Sequence, residues 1–301
     1  MNDKAIFIVG CPRSGTTILT EILNRHPDIS ITPETHYFSK FKHHLALKYM
    51  PLVKNKYDIN KNFLFFICKN RLFFNIFSRK ITYEKLLNEL DNFPFFHDSK
   101  LEKDTIKSYI KEHRNTQLKP YHMVFKAWVS CYAKKYNKKI PGEKTPINVF
   151  YMKTIQKIFE NACFIHIIRN PYSTIASMNK MPWSSSDSKR NAYLWKKYND
   201  VSNNNLKNYY LLRFEELVEK PDIVLKDLFD NINVEYSNTV LEPSTNDRDY
   251  EANGEYWKKN SSKQISRKNI SSDISNLSKD EIKAIKKTIG KKLFLKYGYD
   301  F

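Results

Sequence analysis

Four cysteines in 301 residues, Cys11, Cys68, Cys131 and Cys163, are too few and too scattered for a disulfide framework or a metal site. Cys11 and Cys163 fall in or beside apolar strand candidates, where a free thiol behaves as a small hydrophobe, and a reducing compartment is the simpler expectation. Long apolar runs are also missing, since no window approaches the roughly eighteen residues of a membrane span. The opening MNDKAIFIVG has no basic segment ahead of an extended apolar one, so a secretory signal is not expected. These absences point to the cytoplasm. Carboxylates are short as well: 32 Asp and Glu against 51 Lys and Arg leave a net charge of +19. That suits an anionic partner, although Lys and Asn are abundant throughout and compositional bias explains the charge equally well. No internal repeat and no separating linker appears, so one domain over residues 1–301 is expected.

The first ordered signal is a continuous apolar run at 5–10, of the kind that marks a parallel strand buried on both faces. A helix follows from Thr17, with Ile18, Leu19, Ile22 and Leu23 on one face, and ends near Pro27. Residues 29–32 form a second short strand candidate. Strand, loop, helix, strand is the start of a doubly wound sheet. Residues 38–135 show no strand alternation, are rich in Phe, Tyr, Lys and His, and read as a largely helical insertion over the mouth of the sheet. Ordinary helices packing their own aromatics are the plainer account of that stretch, and 63–81, mixing Phe with Lys and Arg, also fits a peripheral membrane contact. Further on, Thr145 and Pro146 open a helix, ACFIHII is a strand ending at Arg169, and Asn170 and Pro171 cap the next helix. YYLLRF reads as another buried strand, Pro221 opens a helix, and 278–297 is an amphipathic helix with Ile282, Ile285, Ile289 and Leu293 along one stripe. The expected class is α/β: a P-loop-type three-layer α/β/α fold around a central parallel sheet.

The loop CPRSGTT joins the first strand to the first helix. Backbone N–H groups converge in such a loop, and the helix N-terminus adds partial positive charge, so a phosphate group is a fitting ligand. Gly10, Ser14, Gly15, Thr16 and Thr17 supply this geometry. A nucleoside triphosphate enzyme would place lysine at position 16. Threonine stands there instead, and no strand-ending Asp plainly fills a magnesium-binding role. Arg13, at the crown of the loop, offers a fork of donors to an anion. Arg169 lies at the carboxyl end of its strand, where ligands gather in open α/β sheets. Ser173 and Ser177 follow four apart on one helical face. Two anion sites at one sheet edge suit a nucleotide phosphorylated at both ends of its ribose. A turn without a ligand, and Arg169 as a surface ion-pair partner, are the plainer alternatives.

These segments resemble the sulfotransferases that use 3′-phosphoadenosine 5′-phosphosulfate (PAPS). CPRSGTT is similar to their 5′-phosphosulfate loop and IHIIRNPYSTIASM to their 3′-phosphate motif. RHPDISITPETHYF and EKTP resemble segments of the bacterial sulfotransferases and their tyrosylprotein relatives; LLRFEELVEKP and KYGYDF match further landmarks. The resemblance implies that Arg13, Ser14, Gly15, Thr16 and Thr17 grip the 5′-phosphosulfate and that Arg169 and Ser177 hold the 3′-phosphate. It implies Glu34 as general base and Lys144 beside the transferred group, with His36 an alternative base. SRKNISSD resembles a late basic segment that closes over the nucleotide, which nominates Arg267 and Lys268, although Asn269 and Ile274 stand where cytosolic members carry glycine and tryptophan. The implied activity is metal-free transfer of a sulfuryl group from PAPS to a hydroxyl, leaving 3′-phosphoadenosine 5′-phosphate (PAP).

Residues 38–135 and KMPWSSSDSKR are expected to shape the acceptor pocket. A carbohydrate or glycolipid acceptor is the leading expectation, peptide tyrosine the second and a small metabolite the third. Two other classes stay open. One is a P-loop nucleotide kinase or hydrolase, against which Thr16 argues. The other is a non-catalytic basic module using Lys258, Lys259, Lys263, Arg267 and Lys268, which no nucleic-acid motif organises.

Overall fold

The computed structural model describes residues 4–42, 44–45, 82–113, 117–201, 205–242 and 276–301. The 63–81 segment, Cys68, the basic cluster from Lys258 to Lys263, and Arg267 and Lys268 lie outside the described residues. In chain order the elements are β1 (Lys4–Gly10), α1 (Thr16–Asn24), β2 (Ile29–Thr32), α2 (Tyr83–Leu90), α3 (Pro94–His97), α4 (Lys103–Glu112) and α5 (Pro120–Lys135). There follow β3 (Ile140–Lys144), α6 (Met152–Ile158), β4 (Asn161–Ile168), α7 (Pro171–Asn179), α8 (Ser188–Asn199) and β5 (Asn208–Arg213). The chain closes with α9 (Phe214–Glu219), α10 (Pro221–Asn231), α11 (Lys279–Ile289) and α12 (Lys291–Lys296).

All five strands are parallel, in the order β2-β3-β1-β4-β5. Side chains alternate across such a sheet. Ala5, Phe7 and Val9 face a core shared with α5 to α8, α11 and α12, whereas Ile6 and Ile8 face a core shared with α1, α9 and α10. Helices thus cover both faces, the three-layer α/β/α arrangement expected. From β1 the chain crosses one way, through α1 to β2; from β4 it crosses the other, through α7 and α8 to β5. The carboxyl ends of β1 and β4 therefore flank the crevice at which open α/β sheets bind ligands.

The described part of the insertion, 38–42, 44–45, 82–113 and 117–135, is largely helical and contains no strand. Its aromatics pack on one another and on the residue before it: Tyr37 lies 4.6 Å from Tyr121 and 5.2 Å from Phe125, and Phe96 lies edge-on to Trp128 at 5.0 Å. For these residues the plainer account holds. Among the described residues, no helix is long and apolar enough to cross a membrane. Cys11, Cys131 and Cys163 carry free, buried thiols.

Four local expectations change. Ile140–Lys144 is a strand that the sequence hides, because Pro141 and Gly142 interrupt it and charges end it; Gly142 is needed where an added Cβ would lie 2.6 Å from the backbone oxygen of Ile6 in β1. Thr145 does not cap a helix: its hydroxyl donates to Glu143, and Pro146 opens a 3-10 turn (Pro146–Tyr151) ahead of α6. Among the described residues β5 is an edge strand paired only with β4, so of its residues only Leu212 is buried, and Leu211 is 38% exposed. The last amphipathic helix is two helices, broken where Gly290 takes a φ of 85° that other residues rarely adopt. Ile285, Ile289 and Leu293 still reach the core.

His166, fully buried on β4, faces Tyr209 at 2.7 Å through Nδ1 and Asn199 Oδ1 at 3.2 Å through Nε2. Asn199 Nδ2 already donates to Trp195 O, so its oxygen faces the ring, and a neutral imidazole protonated at Nε2 satisfies both neighbours. Burial pushes this imidazole down to about 4 against the opposing bond to Asn199. A histidine near 6.5 when unfolded therefore binds a proton that the native state refuses. Stability from this group is complete above about pH 6.5 and drains away as the pH falls toward 4, by about 3 kcal/mol. Denaturant midpoints at pH 7 and pH 4.5 should converge in His166→Gln relative to wild type. An unchanged gap would assign the loss to another group.

Candidate active site at the carboxyl ends of β1, β3 and β4

Gly10 ends β1 where an added Cβ would lie 2.3 Å from Ile167 O, so the two strands approach too closely there for a side chain. The loop then turns tightly. Ser14 N donates to Cys11 O at 3.2 Å, and Arg13 and Gly15 adopt left-handed φ values of 70° and 97°. Backbone amides in such alternating turns converge to form an anion-binding concavity. Gly15 is required twice over, since a Cβ would also strike the Phe214 ring at 2.3 Å. Thr16 opens α1 with no side chain capping its N-terminus, which leaves the first helical N–H groups open to an anion. The Ser14 hydroxyl is fully buried and, among the described residues, has no hydrogen-bond partner.

The loop is held to the end of β4. Arg13 donates from Nε to Ser177 Oγ at 3.0 Å, and Arg169 donates from Nη1 to Arg13 O at 3.3 Å. The Arg169 guanidinium stacks on Phe214 with 4.9 Å to the ring centroid. Its backbone is fixed too: Trp195 Nε1 donates to Arg169 O at 3.1 Å, and Asn170 N donates to Glu215 Oε1 at 2.8 Å. Asn170 caps α7 by accepting from the amides of Tyr172 and Ser173. Arg13, Arg169 and Ser177, 164 residues apart at the extremes, form one basic cluster.

On the other side of β1, Lys144 ends β3. Its ammonium lies 2.6 Å from Glu34 Oε1 and 3.4 Å from Thr17 Oγ1 at the start of α1, with its side chain 4% exposed. Glu34 Oε2 lies 3.1 Å from His36 Nε2. His36 takes a left-handed φ of 47°. Burial lowers its pKa more than the hydrogen bond to Glu34 raises it, so the ring is neutral at neutral pH and donates one N–H to the carboxylate. Phe95 packs edge-on against His36 at 4.5 Å, and Lys40 lies 4.2 Å over Phe95. The sequence candidates thus meet in two groups, Arg13–Arg169–Ser177 and Glu34–Lys144–Thr17, one on each side of the loop after β1.

Sequence reasoning missed the groups behind these. Glu143 and Glu215 fix residues next to candidate residues, and Trp195 fixes the backbone carbonyl of Arg169 itself. Glu143 and Glu215 offered only one signal, an unbroken carboxylate directly beside a motif residue. Among the described residues, no group of three or more His, Cys, Asp or Glu side chains is arranged to hold a metal ion.

A protein-family model described as "Sulfotransferase family" matches residues 5–238. The fold is similar to that of the sulfotransferase domain of the Synechococcus PCC 7002 olefin synthase, with a TM-score of 0.56 at 18% identity, covering 99% of this chain and 95% of that one. It is also similar to the sulfotransferase domain from the curacin biosynthetic pathway, with a TM-score of 0.53 at 19% identity and coverage of 99% and 98%. No curated protein sequence matches the chain significantly.

The stranded hydroxyl of Ser14 separates ligand binding from folding. Ser14→Ala should leave the free protein as stable or more stable, by up to about 1 kcal/mol, while weakening the stabilisation that added pyrophosphate confers. Denaturant midpoints with and without pyrophosphate check this; a destabilised free protein would show that the hydroxyl already has a partner.

Proposed function

This chain belongs to the sulfotransferase family, and on that premise we propose that it transfers the sulfuryl group of PAPS to an acceptor hydroxyl. The observation that carries the reading is Lys144, which touches Glu34 and Thr17 at once and so joins a carboxylate to the phosphate-type loop. The loop fits the donor. Its left-handed turns, uncapped helix start and stranded Ser14 hydroxyl suit the 5′ end of the nucleotide. Arg169 and Ser177, tied to Arg13, suit the 3′-phosphate. Arg267 and Lys268 are proposed to close over the nucleotide.

Sulfuryl transfer resembles phosphoryl transfer in needing alignment and charge stabilisation more than covalent help. The acceptor oxygen forms a bond to sulfur as the bond from sulfur to the bridging phosphate oxygen breaks. The electron pair stays with the phosphate, which leaves as PAP. Arg13 and Lys144 stabilise the charge that gathers there. The acceptor proton passes to a carboxylate oxygen of Glu34. His36, neutral and donating to Glu34 through Nε2, orients that carboxylate; as an alternative base it would take the proton at Nδ1 while keeping this bond.

For the acceptor, Phe95 and Lys40 beside His36 support a ring-bearing molecule, and a carbohydrate or glycolipid is the class we favour. Half-exposed Trp183, between α7 and α8, is a further aromatic on offer. Peptide tyrosine and small metabolites complete the acceptor panel. Threonine at position 16 sets the reading apart from a nucleotide kinase.

Calorimetric titration in metal-free buffer should show PAP binding, with AMP and ATP much weaker, and Arg169→Ala should weaken PAP. Binding of ATP as tight as PAP would return the loop to the nucleotide kinases and hydrolases. Glu34→Gln should lower turnover by roughly 10²- to 10⁴-fold while PAP affinity holds. Turnover unaffected by that change would remove Glu34 from the chemistry and move the base to His36.

A further inference from the structure

We propose that Glu143 is a positioning residue that sets the geometry of the Glu34–Lys144 pair, acting through Thr35 on one flank and Thr145 on the other. The inference rests on the reading of that pair given above. Glu143 is completely buried in β3, and a carboxylate in such a place is tolerated only when hydrogen bonds replace its water. Four donors do so. Thr35 donates its backbone N–H at 3.2 Å and its hydroxyl at 2.9 Å to Oε1, and the Thr145 hydroxyl donates to the same oxygen. Asn148, in the turn after β3, donates to Oε2 at 2.6 Å.

The placement matters more than the count. Thr35 directly follows Glu34, and Thr145 directly follows Lys144. The Thr145 hydroxyl oxygen also accepts from the His36 backbone N–H at 3.3 Å, so the turn that carries Glu34 and the residue after the lysine are tied twice, once through Glu143 and once directly. Strand alternation gives the pair its two faces. Glu143 lies in register with Phe7 and Lys144 with Ile8, residues that enter opposite cores. Glu143 therefore anchors the turn after β2 from the insertion face, while Lys144 emerges on the α1 face toward Thr17. No other described carboxylate accepts hydrogen bonds from both flanking threonines.

A buried polar network with its members satisfied is rigid, and a misplacement of about 1 Å at a reacting group can cost about 100-fold in rate. Loss of the Glu143 anchor lets the turn carrying Glu34 and the end of β3 move independently. The donor loop, built from β1 and α1, is left in place. The signature is a fall in kcat with donor affinity retained, together with an altered environment at Lys144.

The full chain is compared with Glu143→Gln, Thr35→Val and Thr35→Ser; if Glu143→Gln does not fold, Thr35→Val carries the test. Competitive acetylation, read by mass spectrometry, reports Lys144 against the exposed Lys134. Glu143→Gln and Thr35→Val should raise relative labelling of Lys144 severalfold, and Thr35→Ser, which keeps the hydroxyl, should match wild type. PAP release from PAPS should fall by roughly 10- to 100-fold in the first two variants, with PAP affinity by calorimetry falling far less than kcat. Wild-type labelling in both loss variants would overturn the proposal, as would PAP affinity falling in step with kcat. A wild-type chain that neither binds nor releases PAP sinks the sulfotransferase reading, and the labelling arm still decides the role of Glu143.

Discussion

An ammonium as buried as that of Lys144, 3% exposed as a whole residue, is tolerable only beside opposite charge and good acceptors. Much of the structure around it follows from that requirement. Glu34 must come within reach, and it does so because β3 lies between β1 and β2 in the sheet rather than at an edge. With β3 there, the residue at its carboxyl end has the start of α1 on one side and the turn after β2 on the other. A surface pair of the same kind would contribute little to stability. Here the pair is enclosed, and breaking it would leave a lone charge in the interior.

The other half of the site depends on a different device. The Arg169 guanidinium lies on Phe214 and bonds the backbone of the loop it serves. The same phenylalanine leaves room only for glycine at position 15. One ring therefore limits the loop sterically and supports the arginine electrostatically. Glu215, next in sequence, bonds the Asn170 N–H and also accepts from the Tyr299 hydroxyl at 3.0 Å, which ties the end of β4 to the residues near 299. The segments LLRFEELVEKP and KYGYDF, noticed in the sequence only as landmarks, thus meet through one carboxylate.

Much of this was legible before the structure. β1, α1, β2, β4 and α7 announced themselves through continuous apolar runs, capping residues and prolines, because two-sided burial and helix starts leave local marks. β3 did not, since Pro141 and Gly142 interrupt it, Gly142 lies too close to the β1 backbone for a side chain, and its last residues are polar for the sake of the site. β5 looked buried because YYLLR is apolar, but nothing local tells a strand that it will have one neighbour instead of two. The break at Gly290 was visible as a glycine and still overruled by the periodicity on either side. In the candidate site, residues whose motifs are contiguous were found, and Glu143, Trp195 and Glu215 were not. Each role depends on at least one distant partner, 108 residues away for Glu143, 26 for Trp195 and 45 for Glu215, which no local pattern encodes.

The bond from Arg13 to Ser177 spans 164 residues, and that from Lys144 to Glu34 spans 110. Contacts so distant in sequence require large loops to close, which slows their formation. A chain in which only β1 and α1 have formed owns the loop but neither of the side chains that flank it from β3 and β4. Such a species has no assembled pocket, so a ligand of the finished site has nothing to select until the sheet is complete. Ligand binding then draws on the fully folded population alone, and half-built forms gain no stabilisation from it.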